Sequence, residues 1–186
     1  MEREQYLTVK KDIARRYDSS AEIYDNRYKN IQEKKYREIL SRVDFRNTRA
    51  ILDDGCGTGN FLGLVNSSNG NNSHLVGVDI SSEMIKIAHE KYPEVDFIVA
   101  DSDALPLRNG IFSIIVSITH LQNLPEPEIT VKEINRVTSD EAEIVISILR
   151  KSWSITRLEE IALRNQFKIR DKWIADVEDI GIVCFK

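Results

Sequence analysis

Residues 51–65 have the sequence ILDDGCGTGNFLGLV, in which three alternating glycines separate two apolar stretches. The first stretch predicts a short buried strand and the second a helix, so Gly55, Gly57 and Gly59 lie in the turn between them. Glycines in such a turn let a ligand contact backbone at the start of the helix. A tight turn without a ligand uses the same residues, so the rest of the chain has to separate the two interpretations.

Strand-like and helix-like segments alternate after this turn. Strands are predicted at 49–54, 74–80, 95–102, 111–118 and 141–149, and helices at 59–68, 81–92 and 126–138. This order predicts an α/β fold with a mostly parallel sheet and helices on both faces. After a further helix at 154–166, two strands at 167–175 and 179–186 follow each other with no helix between them. They predict a closing antiparallel hairpin.

The segment before the sheet has a helical pattern from residue 8 to about residue 42, with no proline or glycine inside it. Tyr17, Ala21, Tyr24 and Tyr28 share one face of this pattern. Rings four residues apart are neighbours on a helix, so Tyr24 and Tyr28 should stack.

Composition fits one compact unit. The chain has 186 residues, 41% of them hydrophobic, which is enough for one buried core. We expect a helical cap, residues 1–46, on a core of residues 47–186. The apolar runs are much shorter than the roughly 20 residues of a membrane span, and the first residues lack the apolar centre of a signal peptide. These features predict a soluble, cytoplasmic protein without a membrane partner.

The cysteines and the distribution of charge argue against a disulfide framework, a metal site and a surface that binds nucleic acid. Cys56 and Cys184 offer neither a disulfide framework nor metal-ligand spacing, so we expect buried thiols and no metal. Residues 1–49 carry 13 Lys/Arg and 9 Asp/Glu, whereas residues 50–186 carry 13 and 21. The acidic body argues against a surface that binds nucleic-acid phosphates. The basic N-terminal segment suits either an anionic substrate or a solvated helix face.

Three aspartates follow or end consecutive predicted strands. Asp53 precedes the glycines, where a carboxylate favours a cationic ligand over a pyrophosphate. Asp79 ends the second strand, where a carboxylate can accept both hydroxyls of a ribose. Asp101 ends the third. Each alone is typical of a loop or a helix cap, but together they should line one edge of a crevice. Asn60 stands where a dinucleotide-binding turn has its third glycine.

Five segments together resemble a known family. ILDDGCGTG, GVDISSEMIKIA, FIVADSDALPL and VSITHLQNL are similar, in order and spacing, to the motifs of class I S-adenosylmethionine-dependent methyltransferases, and RRYDSSAEIYDNRY resembles an N-terminal segment of one branch. That branch includes ubiquinone and menaquinone biosynthesis enzymes and wobble-uridine tRNA methyltransferases. The resemblance covers residues 13–186. It implies a Rossmann-like sheet of seven strands whose last hairpin is reversed.

The resemblance also implies roles at the glycine turn. Gly55, Gly57 and Gly59 would let the backbone approach the methionine part of S-adenosylmethionine. Asp53 would orient the loop or the ammonium group of the cofactor, and Asp79 would hold the ribose.

Further residues are assigned to the rest of the cofactor by the same resemblance. Asp101 and the amide of Ser102 would bind the adenine edge, and Ile80 and Met84 would pack against the ring. Ser117, at the end of the fourth strand, would face the sulfur.

The chain departs from the family pattern at two places. Asp54 replaces an apolar residue, and we expect its side chain to point to solvent rather than to reinforce the cation site. Thr119 and His120 stand where the branch often has two histidines. His120 is the only histidine near the predicted site, so it is the candidate general base for a hydroxyl or an acidic carbon. A hydrogen bond that only orients the loop is the alternative.

Residues 13–30 are predicted to form a mobile lid, although simple packing on the sheet is the alternative. A tyrosine such as Tyr24 can exclude water from a sulfonium, attract it through its ring face and hydrogen-bond the cofactor carboxylate.

The acceptor and the partners stay open at this point. A small molecule is favoured and tRNA is the second choice. The edge strand at 95–102 could bind a small protein activator, as some tRNA-modifying relatives require. A non-catalytic cofactor-binding subunit and, less favoured, a nicotinamide-dependent oxidoreductase are the alternatives to a methyltransferase.

Overall fold

A computed structural model describes residues 2–69, 73–175 and 178–186. Seven strands form one sheet in the order β3-β2-β1-β4-β5-β7-β6. The strands are β1 (Ala50–Asp54), β2 (His74–Asp79), β3 (Asp96–Val99), β4 (Phe112–Ile118), β5 (Thr138–Leu149), β6 (Lys168–Ile174) and β7 (Asp179–Phe185). The helices are α1 (Arg3–Asp18), α2 (Ala21–Leu40), α3 (Asn60–Asn69), α4 (Ser82–Lys91), α5 (Pro127–Val137) and α6 (Ile155–Arg164), with a short 3₁₀ helix at Leu121–Asn123.

The sheet confirms the predicted fold class. Strands β1 to β5 pair in parallel, and β7 runs antiparallel to both β5 and β6. The chain therefore closes with the reversed hairpin that the sequence predicted. Strand β3 lies at one edge of the sheet as expected, but it is shorter than the predicted segment 95–102.

Strand β1 lies in the middle of the molecule, and all five of its residues are buried. Successive side chains of a strand point to opposite faces of a sheet. Ile51 accordingly packs with apolar residues of α3 and α4, and Leu52 packs with those of α5 and α6. Because both faces of the sheet are covered, the carboxyl end of β1 is reached from the end of the sheet that lies beneath the N-terminal helices.

The N-terminal segment forms two helices, so the expectation of one continuous helical pattern was wrong. Helix α1 ends at Asp18 and α2 begins at Ala21. The hydroxyl of Ser19 donates to the carbonyl oxygen of Arg16, and that of Ser20 lies within hydrogen-bond distance of the carbonyl oxygens of Arg16 and Tyr17. Serine hydroxyls compete in this way with helical hydrogen bonds.

The break in the helix preserves the tyrosine cluster. The ring centroids of Tyr24 and Tyr28 are 4.9 Å apart, which confirms the predicted stacking. Tyr17, on α1, meets the edge of Tyr24 with centroids 6.5 Å apart.

Polar contacts fix α2 to the glycine turn. The Asp25 carboxylate accepts hydrogen bonds from the Thr58 hydroxyl at 2.5 Å and the Asn60 amide at 2.8 Å. Lys91, at the end of α4, pairs with Asp25 at 2.6 Å. These bonds join a cap helix, the turn and a core helix.

Two buried lysines make further contacts between cap and core. Lys10 of α1 pairs with Asp101 at 2.7 Å and with Asp103. Lys35 of α2 pairs with Asp179 at 3.0 Å. Both lysine side chains are almost completely buried, so the cap lies directly over the carboxyl ends of the parallel strands. Within the described ranges, no helix has the length and apolar character needed to cross a membrane.

Candidate functional site

The glycine turn has the backbone conformation that glycine permits. Gly55, Gly57 and Gly59 all have positive φ angles, of 84°, 53° and 76°. A side chain at Gly55 would collide with the ring of His120, and one at Gly59 would collide with Phe97. At Gly57 nothing lies within 4 Å of the position of a Cβ atom. Gly57 is therefore the glycine whose backbone faces open space, and the other two are required by packing.

Two small cavities flank this turn. The Asp79 cavity, of about 40 Å³, is lined by Ile13, Tyr17, Tyr24, Gly55, Gly57, Asp79, Ile80, Met84, Ile118, Thr119, His120 and Asn123. The Asp53 cavity, of about 30 Å³, is lined by Tyr24, Gln32, Tyr36, Asp53, Gly55, Cys56, Gly57, Thr58, Phe61 and Ile118. Tyr24, Gly55, Gly57 and Ile118 belong to both cavities, so the two are parts of one site.

Asp53 brings an unpaired carboxylate oxygen to this site. Its side chain is buried, and Oδ1 has no hydrogen-bond partner among the described residues. Burial raises the pKa of Asp53 well above its usual value, and the charges of Asp54 and Asp79 raise it further. A cationic ligand would supply both the missing charge and the missing donor.

Asp79 stands on the other side of the turn. Its Oδ2 accepts a hydrogen bond from the amide of Gly57 and its Oδ1 accepts one from the amide of Ser81, both at 2.9 Å. Burial raises the pKa of Asp79, although the bond from Ser81 opposes the rise. Each carboxylate oxygen can accept more than one bond. Asp79 can therefore fix the loop and still accept bonds from a ligand hydroxyl.

Asp54 is buried, so the expectation that it points to solvent was wrong. It is 0% exposed, because β1 is covered on both faces of the sheet. Neither carboxylate oxygen has a hydrogen-bond partner in the described chain. Burial raises the pKa of Asp54 to about 7, and the charge of Asp103 adds to the rise.

His120 lies where the sequence placed it, beside the glycine turn and in the wall of the Asp79 cavity. Its Nε2 is 2.9 Å from the Ser102 hydroxyl. Burial lowers the pKa of His120, although the charge of Asp79 opposes this change. The imidazole is therefore neutral at neutral pH and keeps a nitrogen that can accept a proton.

Four predicted site residues line neither cavity. Gly59 lies under Phe97, and Ser102 is buried behind His120. Asp101 lies beyond the end of β3 and pairs with Lys10. Ser117 is buried, with a hydroxyl that lacks a partner in the described part of the chain. The next residue, Ile118, lines both cavities instead, since neighbouring side chains of a strand alternate.

Sequence analysis missed Gln32 and Tyr36, which line the Asp53 cavity. A signal for them exists, because Tyr24, Tyr28, Gln32 and Tyr36 follow each other at four-residue spacing along α2. Such residues share one helix face. No cluster of three or more His, Cys, Asp or Glu side chains suited to a metal ion occurs among the residues that the structure describes.

Comparison with known proteins finds a matching domain family. Residues 51–141 match the methyltransferase domain family. An uncharacterised protein of Methanocaldococcus jannaschii is 32% identical over 163 residues, which are 86% of this chain and 60% of that protein. The chain thus spans little more than half the length of the curated relatives that it matches.

Solved structures agree on the fold. A SAM-dependent methyltransferase from Aquifex aeolicus superposes with a TM-score of 0.80 at 17% identity, covering 90% of this chain and 97% of the other. A putative methyltransferase of Haloferax volcanii, solved in complex with the Trm112 methyltransferase activator, gives 0.77 at 16% identity, covering 91% and 96%. Residues 51–141 thus contain a methyltransferase domain, and the sheet has the fold of S-adenosylmethionine-dependent methyltransferases.

The buried carboxyl group of Asp54 makes a prediction about stability. An aspartate titrates near pH 3.9 when unfolded but near pH 7 here, so the folded state holds a proton that the unfolded state has lost between these values. The unfolded state loses this proton as pH rises through that window, so the free energy of unfolding of the wild-type protein falls, by up to about 4 kcal/mol. The Asp54→Asn variant has no such proton, so its free energy of unfolding relative to wild type should rise between about pH 4 and pH 7. Above pH 7 the difference between the two proteins should stay constant.

Urea unfolding of both proteins across this pH range measures the difference. Asp140→Asn, at an exposed position, is the control and should track wild type at every pH. A difference between Asp54→Asn and wild type that does not change with pH would contradict the burial of an ionisable group at this position.

Proposed function

We propose that this chain transfers a methyl group from S-adenosylmethionine to a small-molecule or tRNA acceptor. The observation that carries the proposal is the unpaired Oδ1 of Asp53, buried beside the open face of Gly57. The cofactor has an ammonium group that fits this oxygen and ribose hydroxyls that fit Asp79. The sulfur then lies between the two cavities, near Tyr24 and Ile118, the side chains that line both.

S-adenosylmethionine, when bound, supplies an electrophilic methyl group on a sulfonium and leaves as S-adenosylhomocysteine. The chain has to hold the acceptor in line with this methyl group and exclude water. Tyr24 and Ile118 offer an apolar wall at that point. Where the acceptor is a hydroxyl or an acidic carbon, the neutral imidazole of His120 takes its proton. An acceptor that loses no proton needs no base, and His120 then only orients the loop.

The cap acts as a lid in this proposal. Cavities of about 40 and 30 Å³ are far below the roughly 300 Å³ of a typical ligand site, so the cap must move before the cofactor binds. Lys10 pairs with Asp101, the carboxylate assigned to the adenine edge, and the Ser81 hydroxyl donates to Asp18 at 2.6 Å. Opening the lid has to break both contacts. The lid thus includes α1 as well as the predicted residues 13–30.

Small molecules are favoured over tRNA because the core around the site is acidic.

A nicotinamide-dependent oxidoreductase is disfavoured, since Asn60 replaces the third glycine of a dinucleotide-binding turn and is bonded to Asp25. A cofactor-binding subunit without its own activity stays an alternative, separated by assaying methyl transfer with and without cell extract. The cytoplasm remains our expected compartment.

We further propose that a small protein activator pairs with β3. This strand ends the sheet, and Val99 is 52% exposed on it. An unpaired apolar edge invites strand addition. The putative methyltransferase of Haloferax volcanii that superposes on this chain was solved in complex with a methyltransferase activator.

Cofactor binding tests the main proposal. S-adenosylhomocysteine should bind the wild-type protein in a calorimetric titration and NADH should not. Asp79→Ala should weaken the binding at least tenfold, because it removes charge-assisted hydrogen bonds worth roughly 1.5–3 kcal/mol each. Asp140→Ala is the exposed control. Wild-type affinity in Asp79→Ala would refute the ribose assignment, and binding of NADH alone would refute the methyltransferase.

Hydrogen exchange tests the lid. S-adenosylmethionine should slow amide exchange in residues 3–30, because closure over the ligand adds contacts to this segment. Lys10→Met should speed exchange in α1 when cofactor is absent, since the pairs with Asp101 and Asp103 are lost. Equal exchange with and without cofactor would show that the segment is ordinary packing.

Light scattering after size exclusion tests the activator. The isolated chain should self-associate through β3, and Val99→Lys should restore the monomer by placing a charge on the edge. Ile174→Lys, at an exposed residue of β6, is the matched control. A wild-type chain that is monomeric and fully active by itself would exclude a required activator at this edge.

A further inference from the structure

A surface groove lies between α2, the start of α3 and the end of α4, outside the two cavities. This outer groove has a volume of about 370 Å³, within the range of small-molecule sites. Its apolar walls are the rings of Tyr24, Tyr28 and Tyr36 and the side chain of Leu64, which is 40% exposed. It is by far larger than either cavity beside the glycine turn.

The outer groove meets the predicted cofactor site at three residues. Tyr24 lines the groove, the Asp79 cavity and the Asp53 cavity. Gln32 and Tyr36 line both the groove and the Asp53 cavity. These side chains therefore stand between the groove and the place where the proposed function puts the sulfur. A molecule in the groove would reach the methyl group by displacing the ring of Tyr24.

Gln32 presents an unused hydrogen-bond acceptor at this junction. Its Oε1 is buried and has no partner within the described residues, while its Nε2 donates to the Tyr24 hydroxyl at 3.3 Å. A buried acceptor without a donor costs free energy. A ligand with an O–H or N–H group removes this cost.

Contacts to the core hold the helix that carries the aromatic walls of the groove. Tyr24 and Tyr28 are 4.9 Å apart at 54°, and Asp25 anchors this part of α2 to Thr58 and Lys91. Aromatic rings bind flat aromatic molecules by offset or edge contacts. These contacts fix this part of α2 when the lid is closed, and the Tyr24 ring is the wall that has to move.

The charges at the rim decide between a small molecule and nucleic acid. Lys29 and Lys91 stand against Asp25 and Glu33, so the rim has no excess of positive charge. Binding of a phosphate backbone requires such an excess. The rim thus favours a small molecule over tRNA.

We propose that the outer groove binds the methyl acceptor, a planar aromatic ring compound with an O–H or N–H donor, and that Tyr24 gates its access to the methyl group. This assignment rests on the proposed function, because it names the acceptor side of the same site. It accounts for the aromatic walls, for the unpaired oxygen of Gln32 and for the position of Tyr24, which lines the outer groove and both cavities.

Nuclear magnetic resonance with ring-labelled tyrosine tests the groove, with catechol as the probe and cyclohexane-1,2-diol as its non-aromatic match. Catechol should shift the ring signals of Tyr24, Tyr28 and Tyr36, with and without S-adenosylhomocysteine, and the diol should not. Leu64→Trp fills the groove and should abolish these shifts. Leu163→Trp, at a residue of α6 that is 59% exposed, is the control and should keep them.

Calorimetry separates this proposal from the proposed function. Leu64→Trp should bind S-adenosylhomocysteine within twofold of wild type, because it fills the groove and leaves the cavities intact. Absence of catechol shifts in a wild-type protein that binds S-adenosylhomocysteine would overturn the groove assignment, as would shifts that persist in Leu64→Trp. Catechol shifts in a protein that does not bind S-adenosylhomocysteine would support the groove and refute the proposed function.

If Leu64→Trp does not fold, Tyr28→Ala replaces it. This variant removes one aromatic wall and should weaken catechol binding at least threefold, and unchanged catechol binding would overturn the proposal.

Discussion

Three buried carboxyl groups lie around the glycine turn, at the carboxyl ends of β1 and β2. They belong to Asp53, Asp54 and Asp79. Burial raises the pKa of each group, and the charge of Asp54 raises those of Asp53 and Asp79 further. A buried carboxylate is stable only with a proton, a cation or several donors. Asp79 has two backbone donors, but no described residue provides a partner for Oδ1 of Asp53 or for either oxygen of Asp54. The site is therefore short of positive charge and of donors.

The cap does not supply that charge. Its buried lysines, Lys10 and Lys35, pair with other carboxylates, those of Asp101 and Asp179. Such buried pairs add little net stability, but breaking one is costly. They therefore fix where the cap lies, while the deficit around the glycine turn is left for a ligand. A sulfonium cofactor that also carries an ammonium group matches that deficit.

Much of this architecture could be predicted from the sequence because local patterns encode it. Alternating strands and helices determined the parallel sheet, and the two final strands without a helix between them determined the hairpin. Asp53, Asp79 and the glycines could be found for the same reason, since parallel strands bring their carboxyl ends to one edge of the sheet.

The rest depends on interactions that no local pattern records. The break between α1 and α2 arises from serine hydroxyls that compete with the helix. Asp54 is buried because β1 lies in the centre of the sheet, and its polar side chain carries no sign of this. The pair of Lys10 and Asp101 joins residues 91 positions apart. Gln32, by contrast, continued a visible four-residue spacing and could have been found.

The central claim is that Asp53 pairs with the ammonium group of the cofactor. The most direct measurement compares wild type and Asp53→Asn in calorimetric titrations with two ligands, S-adenosylhomocysteine and 5′-methylthioadenosine, which lacks the amino-acid part. Asp53→Asn should weaken the binding of S-adenosylhomocysteine at least tenfold and leave that of 5′-methylthioadenosine unchanged. Equal weakening of both ligands, or of neither, would contradict the claim.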